Sequence, residues 1–163
     1  EIPHEANLSI AKFCQENQVK VLYNPAPARE TDKEMIPFCD FITPNEHECS
    51  ELFPDKKLEE IIKIYPNKMI VTLGVEGSIY YDGTAVKKIP AIKAEVVDTT
   101  GAGDTFNGAF AYAISKGKEM NVALSFATIA SHLSVQRFGA QGGMPSLKEI
   151  KEHSGYEEIW DFK

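Results

Sequence analysis

Apolar positions along this chain switch between a helical period and short β-branched runs. Residues 4–17 place Ala6, Leu8, Ile10, Ala11, Phe13 and Cys14 at helical spacing, which predicts a helix with one buried stripe. Val19 to Asn24 is a short apolar run that predicts a strand, ended by Pro25 and Pro27. A second strand is expected at Asp40 to Thr43, where Pro44 stops it, and a helix follows from Asn45 to Leu52 with Asn45 near its N-cap. Leu58 to Tyr65 predicts another amphipathic helix, and Met69 to Leu73 a buried strand closed by Gly74 and Gly77. Ser78 to Tyr81 and Ala85 to Ile89 flank Asp82-Gly83, the signature of a hairpin. Val96-Val97 leads through a glycine-rich turn into a helical pattern at Phe106 to Ser115, ended by Lys116-Gly117-Lys118. Val122 to Val135 predicts a long apolar helix, and Ser146 caps a last one at Leu147 to Glu152. Repeated helix–strand succession makes a parallel sheet the natural choice, so the expected fold is α/β: a mostly parallel sheet flanked by helices. The tail from Tyr156 to Lys163 mixes aromatic and acidic residues and is assigned no role.

Composition narrows the partners. The chain has 163 residues, enough for one domain with a core, and is 43% hydrophobic and 25% charged, ordinary for a soluble globular protein. Its formal net charge of -7, with no basic run, argues against nucleic acid and anionic membranes. No apolar run approaches the roughly 20 residues of a membrane span, and no signal peptide is read. Cys14, Cys39 and Cys49 are odd in number and lack metal-site spacing, so reduced thiols in a cytoplasmic protein are expected. Glu1-Ile2-Pro3 reads as a strand running into a helix without an initiator Met, and the expectation is a fragment.

The candidate chemistry centres on Asp98-Thr99-Thr100-Gly101-Ala102-Gly103-Asp104. Without Cβ atoms, Gly101 and Gly103 leave backbone N–H groups bare at a helix start, where unpaired donors and the helix dipole favour an anion. Asp104 could cap that helix, or accept a proton from a hydroxyl held beside the anion hole. Phosphoryl or acyl transfer to an alcohol needs such a base and such a hole. The stretch is neither a GxxxxGK[ST] loop nor a GxGxxG fingerprint. Asn45 and Glu48, three apart, form either a capping box or a polar pair suited to a hydrated Mg²⁺. His47 reads as an exposed helix residue. His132, sharing a face with Thr128, reads as a partly buried histidine with its bonds satisfied.

DTTGAGDTFNG resembles the C-terminal signature of the ribokinase-type (PfkB) sugar kinases. Asn24-Pro25-Ala26-Pro27-Ala28, the TPNxxE at Asn45 and Glu48, the TLGxxG from Thr72, and the GAQ loop after Arg137 resemble further motifs of that family, in family order. The first of these can also be a rigid turn, and the TLGxxG also a β-turn. The resemblance implies that Asp104 is the catalytic base, and that the Gly101, Ala102 and Gly103 amides hold the transferring phosphoryl group. Asn45 and Glu48 would organise Mg²⁺ and phosphates through water; Thr72, Gly74, Gly77 and Thr128 would border the nucleotide. It further implies a K⁺ site from Asp98, Thr100, Ser134, Arg137, Gly139 and Gly143, the last standing where relatives often have Ser. The implied reaction is ATP-dependent phosphorylation of D-ribose at O5, by a cytoplasmic enzyme that is a homodimer when complete. Alternatives are another PfkB-type carbohydrate or nucleoside kinase, or an inactive nucleotide-binding fragment. Residues 1–163 would be the C-terminal part of the fold, lacking the sugar-reading half and its lid. Glu1 would face the sugar. A half-sheet would expose a strand edge and apolar helix faces.

Overall fold

The computed structural model describes residues 2–162, which divide into two compact units: residues 2–74 with 78–88, and residues 75–77 with 89–162. Glu1, the expected sugar-facing residue, lies outside the described residues.

The first unit opens with α1 (His4–Glu16), followed by β1 (Leu22–Tyr23), β2 (Phe41–Ile42), α2 (Glu46–Leu52), α3 (Leu58–Ile64), β3 (Ile70–Thr72) and β4 (Ser78–Tyr81). β5 (Val86–Ile89) crosses into the second unit at Ile89. β1 and β2 pair in parallel, Leu22 opposite Phe41 and Tyr23 opposite Ile42. Parallel bridges from Ile42 to Met69 and from Asn45 to Thr72 carry that direction to β3. β3 pairs antiparallel with β4, and β5 follows β4 in the same sheet. The α/β class is therefore observed, with an antiparallel hairpin added to a parallel start. Asp82 builds that hairpin's turn: its Oδ1 accepts from the Thr84 and Ala85 amides, each at 2.7 Å. Those bonds hold its carboxyl well below the usual range. Ile42, Leu52, Ile61, Ile62, Met69 and Val71 form the core against the sheet.

Two expectations change here. The strands are shorter than their apolar runs, and Val19 is exposed rather than part of β1. In α1 only Ala11 is fully buried, while Ile10 and Phe13 are 55% and 64% exposed. Periodicity reports which face of a helix is apolar; whether another element covers it is a tertiary matter.

The second unit is built on two helices, α4 (Ala102–Ser115) and α5 (Met120–Ser134), followed by the short α6 (Ala140–Gly143) and α7 (Leu147–Glu152). Phe110, Ala113, Ala123, Leu124, Ala127 and Ala130 are buried, small residues on α5 letting the pair pack closely. The tail belongs to this core. Phe162 is 1% exposed, its ring 4.2 Å from Phe126 centroid to centroid, and Trp160 is buried beside Tyr156. Lys118 fixes the turn by donating to the Asp161 carbonyl at 3.0 Å.

Candidate active site

In the second unit the chemistry-bearing stretch turns sharply before α4. Gly101 sits at φ +79° as the N-cap. An added Cβ would lie 2.9 Å from both Cα and Cβ of Ala140, so a side chain is excluded by backbone conformation and by contact. The Ala102 N–H, one of the three amides expected to hold the phosphoryl group, donates instead to the Thr99 carbonyl at 3.2 Å in the turn, and the Thr105 N–H bonds to the Gly101 carbonyl at 2.9 Å. The Gly103 and Asp104 amides before it take no acceptor among the described residues, as the first turn of any helix leaves them. Asp104 is exposed in that first turn, where the dipole favours its charge. It also lines an open cavity of about 320 Å³, largely apolar, with Thr105, Tyr112, Phe126 and Met144. The Thr105 hydroxyl in that wall is buried with no hydrogen-bond partner among the described residues.

Asp98 ties this turn to the loop after α5. One carboxylate oxygen accepts from the Thr100 amide at 2.9 Å, the other from the Gly139 amide at 2.9 Å, 41 residues away. These amide bonds hold the Asp98 carboxyl below its ordinary value. The Val97 and Asp98 amides both reach the Val135 carbonyl, at 2.8 and 3.2 Å. Gly143 donates to Gly139, and a Cβ there would come 2.7 Å from the Ser134 carbonyl, which is why Gly stands at this position in this conformation. Thus Asp98, Thr100, Ser134, Gly139 and Gly143 are brought together, with oxygen atoms of the hard type that a monovalent cation takes. Arg137 donates its amide to the Ser134 carbonyl at 3.3 Å, and its guanidinium pairs with Glu149. That pairing, with bonds from Ser146, lowers the Glu149 pKa to about 2.

Other sequence-derived residues fall out differently. Thr128 is buried, and its hydroxyl donates to the Leu124 carbonyl at 2.8 Å, so it is set into the helix pair. His132 has both ring nitrogens engaged, by the Ile92 carbonyl at 3.3 Å and Gln136 at 3.1 Å. Its ring meets His153 edge-on at 5.0 Å, and burial first, then His132, pushes the His153 pKa down. Gly77 has φ +99°, and a Cβ would come 1.9 Å from the Ile89 carbonyl, so a backbone requirement alone accounts for it.

In the first unit Asn45 and Glu48 form the capping box: Asn45 Oδ1 accepts from the Glu48 amide at 2.8 Å and Glu48 Oε2 from the Asn45 amide at 2.7 Å. Glu48 Oε1 lies outside the box. The parallel bridge between Asn45 and Thr72 sets the two motifs side by side, and Gly74 follows at φ +54°. His47 is exposed and pairs with Glu51 at 3.3 Å. A polar cluster not anticipated from the sequence lies beside the Asn24–Ala28 loop. Asp32, 4% exposed, accepts from the Arg29 amide at 2.8 Å and meets His4 Nδ1 at 3.2 Å. Burial first, and then Asp32, raises the Tyr23 pKa. No local spacing signals that cluster, because its members span 28 residues. Among the described residues no group of three or more His, Cys, Asp or Glu could hold a metal ion, and no helix is long and apolar enough to cross a membrane.

The second unit thus presents a glycine turn feeding a helix start, with an acid in the first turn of that helix. The chain belongs to the pfkB family of carbohydrate kinases, which residues 1–147 match. It is 67% identical over 151 residues to the ribokinase of Lactococcus lactis subsp. lactis (strain IL1403), covering 93% of this chain and 50% of that protein. To the ribokinase of Bacillus subtilis (strain 168) it is 47% identical over 152 residues, covering 93% of this chain and 52% of that protein. The solved structure of Arabidopsis thaliana ribokinase complexed with ribose and ATP is similar, with TM-score 0.81 and 32% identity, covering 99% of this chain and 54% of that one. The chain thus spans about half the length of the curated relatives it matches.

Proposed function

We propose that this chain carries the base and anion-hole machinery of an ATP-dependent kinase that converts D-ribose to ribose 5-phosphate. The observation that carries the reading is the α4 start: Gly101 held at φ +79° against Ala140, the Gly103 and Asp104 amides without an acceptor among the described residues, and the Asp104 carboxylate beside them. In the proposed step Asp104 accepts the proton of the sugar hydroxyl as its oxygen bonds to the γ-phosphorus. The bond from that phosphorus to the β–γ bridging oxygen breaks, and ADP leaves. The amides of Gly101 and Gly103 stabilise charge on the transferring group, with that of Ala102, which donates to the Thr99 carbonyl in this structure, between them; this is positioning plus electrostatics.

Asn45 and Glu48 would hold Mg²⁺ through water, with Glu48 Oε1 outside the capping box; the ion offsets phosphate charge when bound. Asp98 with backbone carbonyls of Thr100, Ser134, Arg137 and Gly139 would hold K⁺, whose charge steadies the turn. Thr72 and Gly74 would border the nucleotide. Ribokinase names among the relatives support ribose as acceptor, and the Arabidopsis structure with ribose and ATP supports the substrate pair. The reading carries with it a cytoplasmic enzyme, a homodimer when complete, with residues 1–163 as its C-terminal part.

The test is Asp104→Asn in the full-length enzyme. Turnover falls by about 10²–10⁴-fold, the usual worth of a positioned base, while ATP still binds by calorimetry. Near-normal turnover removes Asp104 as the base. Calorimetry of ATP with this 163-residue chain, with Mg²⁺ and with K⁺ against Na⁺, tells whether the nucleotide side of the site works in this chain by itself: micromolar, K⁺-favoured binding means that it does, and no binding from the folded chain means that the site needs further residues.

A further inference from the structure

We propose that Ser131 is a positioning residue for the anion hole, acting through the Ala102–Gly103 peptide; this rests on the kinase reading above. Ser131 lies on α5, and its hydroxyl donates to the Ala102 carbonyl at 3.2 Å, 29 residues away in sequence. Ala102 is the first residue of α4. Its carbonyl and the Gly103 N–H are opposite ends of one planar peptide unit. A hydroxyl gripping the oxygen therefore sets the direction in which the Gly103 N–H points. Accepting the bond also polarises the amide, which makes that N–H a better donor to an anion.

The helix has no need of this bond. A first-turn carbonyl already accepts from within its own helix, and the unpaired end of the unit is the N–H. Glycine at 103 makes the grip matter: nothing lies within 4 Å of where its Cβ would be, so no side chain there steadies the plane. Gly101 on the other side is braced by Ala140, and Asp98 fixes Thr100. Ser131 completes the set by bracing the remaining peptide from the α5 side. Ser131 is itself held in a chain of bonds, its carbonyl accepting from the Ser134 hydroxyl at 2.8 Å and the Val135 amide at 3.3 Å.

The experiment follows the amide resonances of the ¹⁵N-labelled 163-residue chain, titrated with inorganic phosphate, in wild type, Ser131→Ala and Ser131→Thr. In wild type the Gly103 amide shifts saturably. Ser131→Ala displaces the Gly103 resonance before phosphate is added and weakens phosphate binding about threefold to tenfold, the worth of one hydrogen bond. Ser131→Thr, which keeps the hydroxyl, restores both. The proposal is overturned if Ser131→Ala leaves the Gly103 resonance and the phosphate affinity unchanged. It is equally overturned if shifts spread along α4 and α5 with no loss of affinity, since the bond is then helix packing alone. If phosphate moves none of the amides from Gly101 to Gly103 in wild type, the anion-hole reading fails, and this proposal with it.

Discussion

Gly101→Ala probes the turn on which the proposed chemistry depends. Two penalties apply, both read from the geometry. The residue sits at φ +79°, where an L side chain costs about 1–2 kcal/mol. The new Cβ would lie 2.9 Å from Cα and Cβ of Ala140, where backbone or the neighbouring loop must give way. Overpacking of that kind costs about 1–3 kcal/mol. The sum is about 2–5 kcal/mol. With a urea slope of about 2 kcal/mol per molar, the midpoint falls by about 1–2.5 M. The chain has one tryptophan, Trp160, buried in the same unit, so its fluorescence reports on the unit that holds Gly101. Gly103→Ala is the internal control. Position 103 has no positive φ and open space around its Cβ, so alanine there is neutral or gains up to about 1 kcal/mol from helix propensity. Equal midpoints for Gly101→Ala and wild type would refute the reasoning, as would Gly103→Ala being the worse of the two.

The tail and the α7 cap give two further expectations. Phe162→Ala removes a ring that is 1% exposed and stacked on Phe126, so the second unit loses about 3–5 kcal/mol and the Trp160 emission moves to longer wavelength; an unchanged spectrum and midpoint would dismiss the tail as a core element. Glu149 has its folded pKa lowered from 4.5 to about 2, first by the Arg137 bond, so its contribution is full above pH 4.5 and is lost as pH falls toward 2. The stability difference between wild type and Glu149→Gln should therefore be full at pH 7 and shrink across that window in urea titrations; a difference that grows on acidification would reverse the assignment.

Much of the local structure was legible in the residues alone. Asn45 with Glu48 is found as a reciprocal capping box, and Ser146 is found capping α7, where the structure adds the return bond from Glu149. The long apolar run expected at Val122 to Val135 is found as α5, Met120–Ser134. The hairpin at Asp82-Gly83 is present, although its turn is built over four residues by the Asp82 carboxylate. These features are short-range: a cap or a helical period is complete within one or two turns of chain.

Other features had no local trace. The apolar stripe of α1 was visible, yet Ile10 and Phe13 are exposed, because nothing in a period says what packs on it. Thr128 was expected at a ligand edge and lies buried, its hydroxyl turned to its own helix. The aromatic tail had no reading until Phe162 was seen against Phe126.

The sequence by itself determined the α/β class, the family, the helix starts and the presence of a glycine turn before an acid-bearing helix. Only the tertiary structure decided what braces that turn. Asp98 meets Gly139 across 41 residues, Ser131 meets Ala102 across 29, and Ala140 closes on Gly101. Such contacts depend on how α4, α5 and the α6 loop pack, and packing over that separation leaves no periodic or capping signal in the chain.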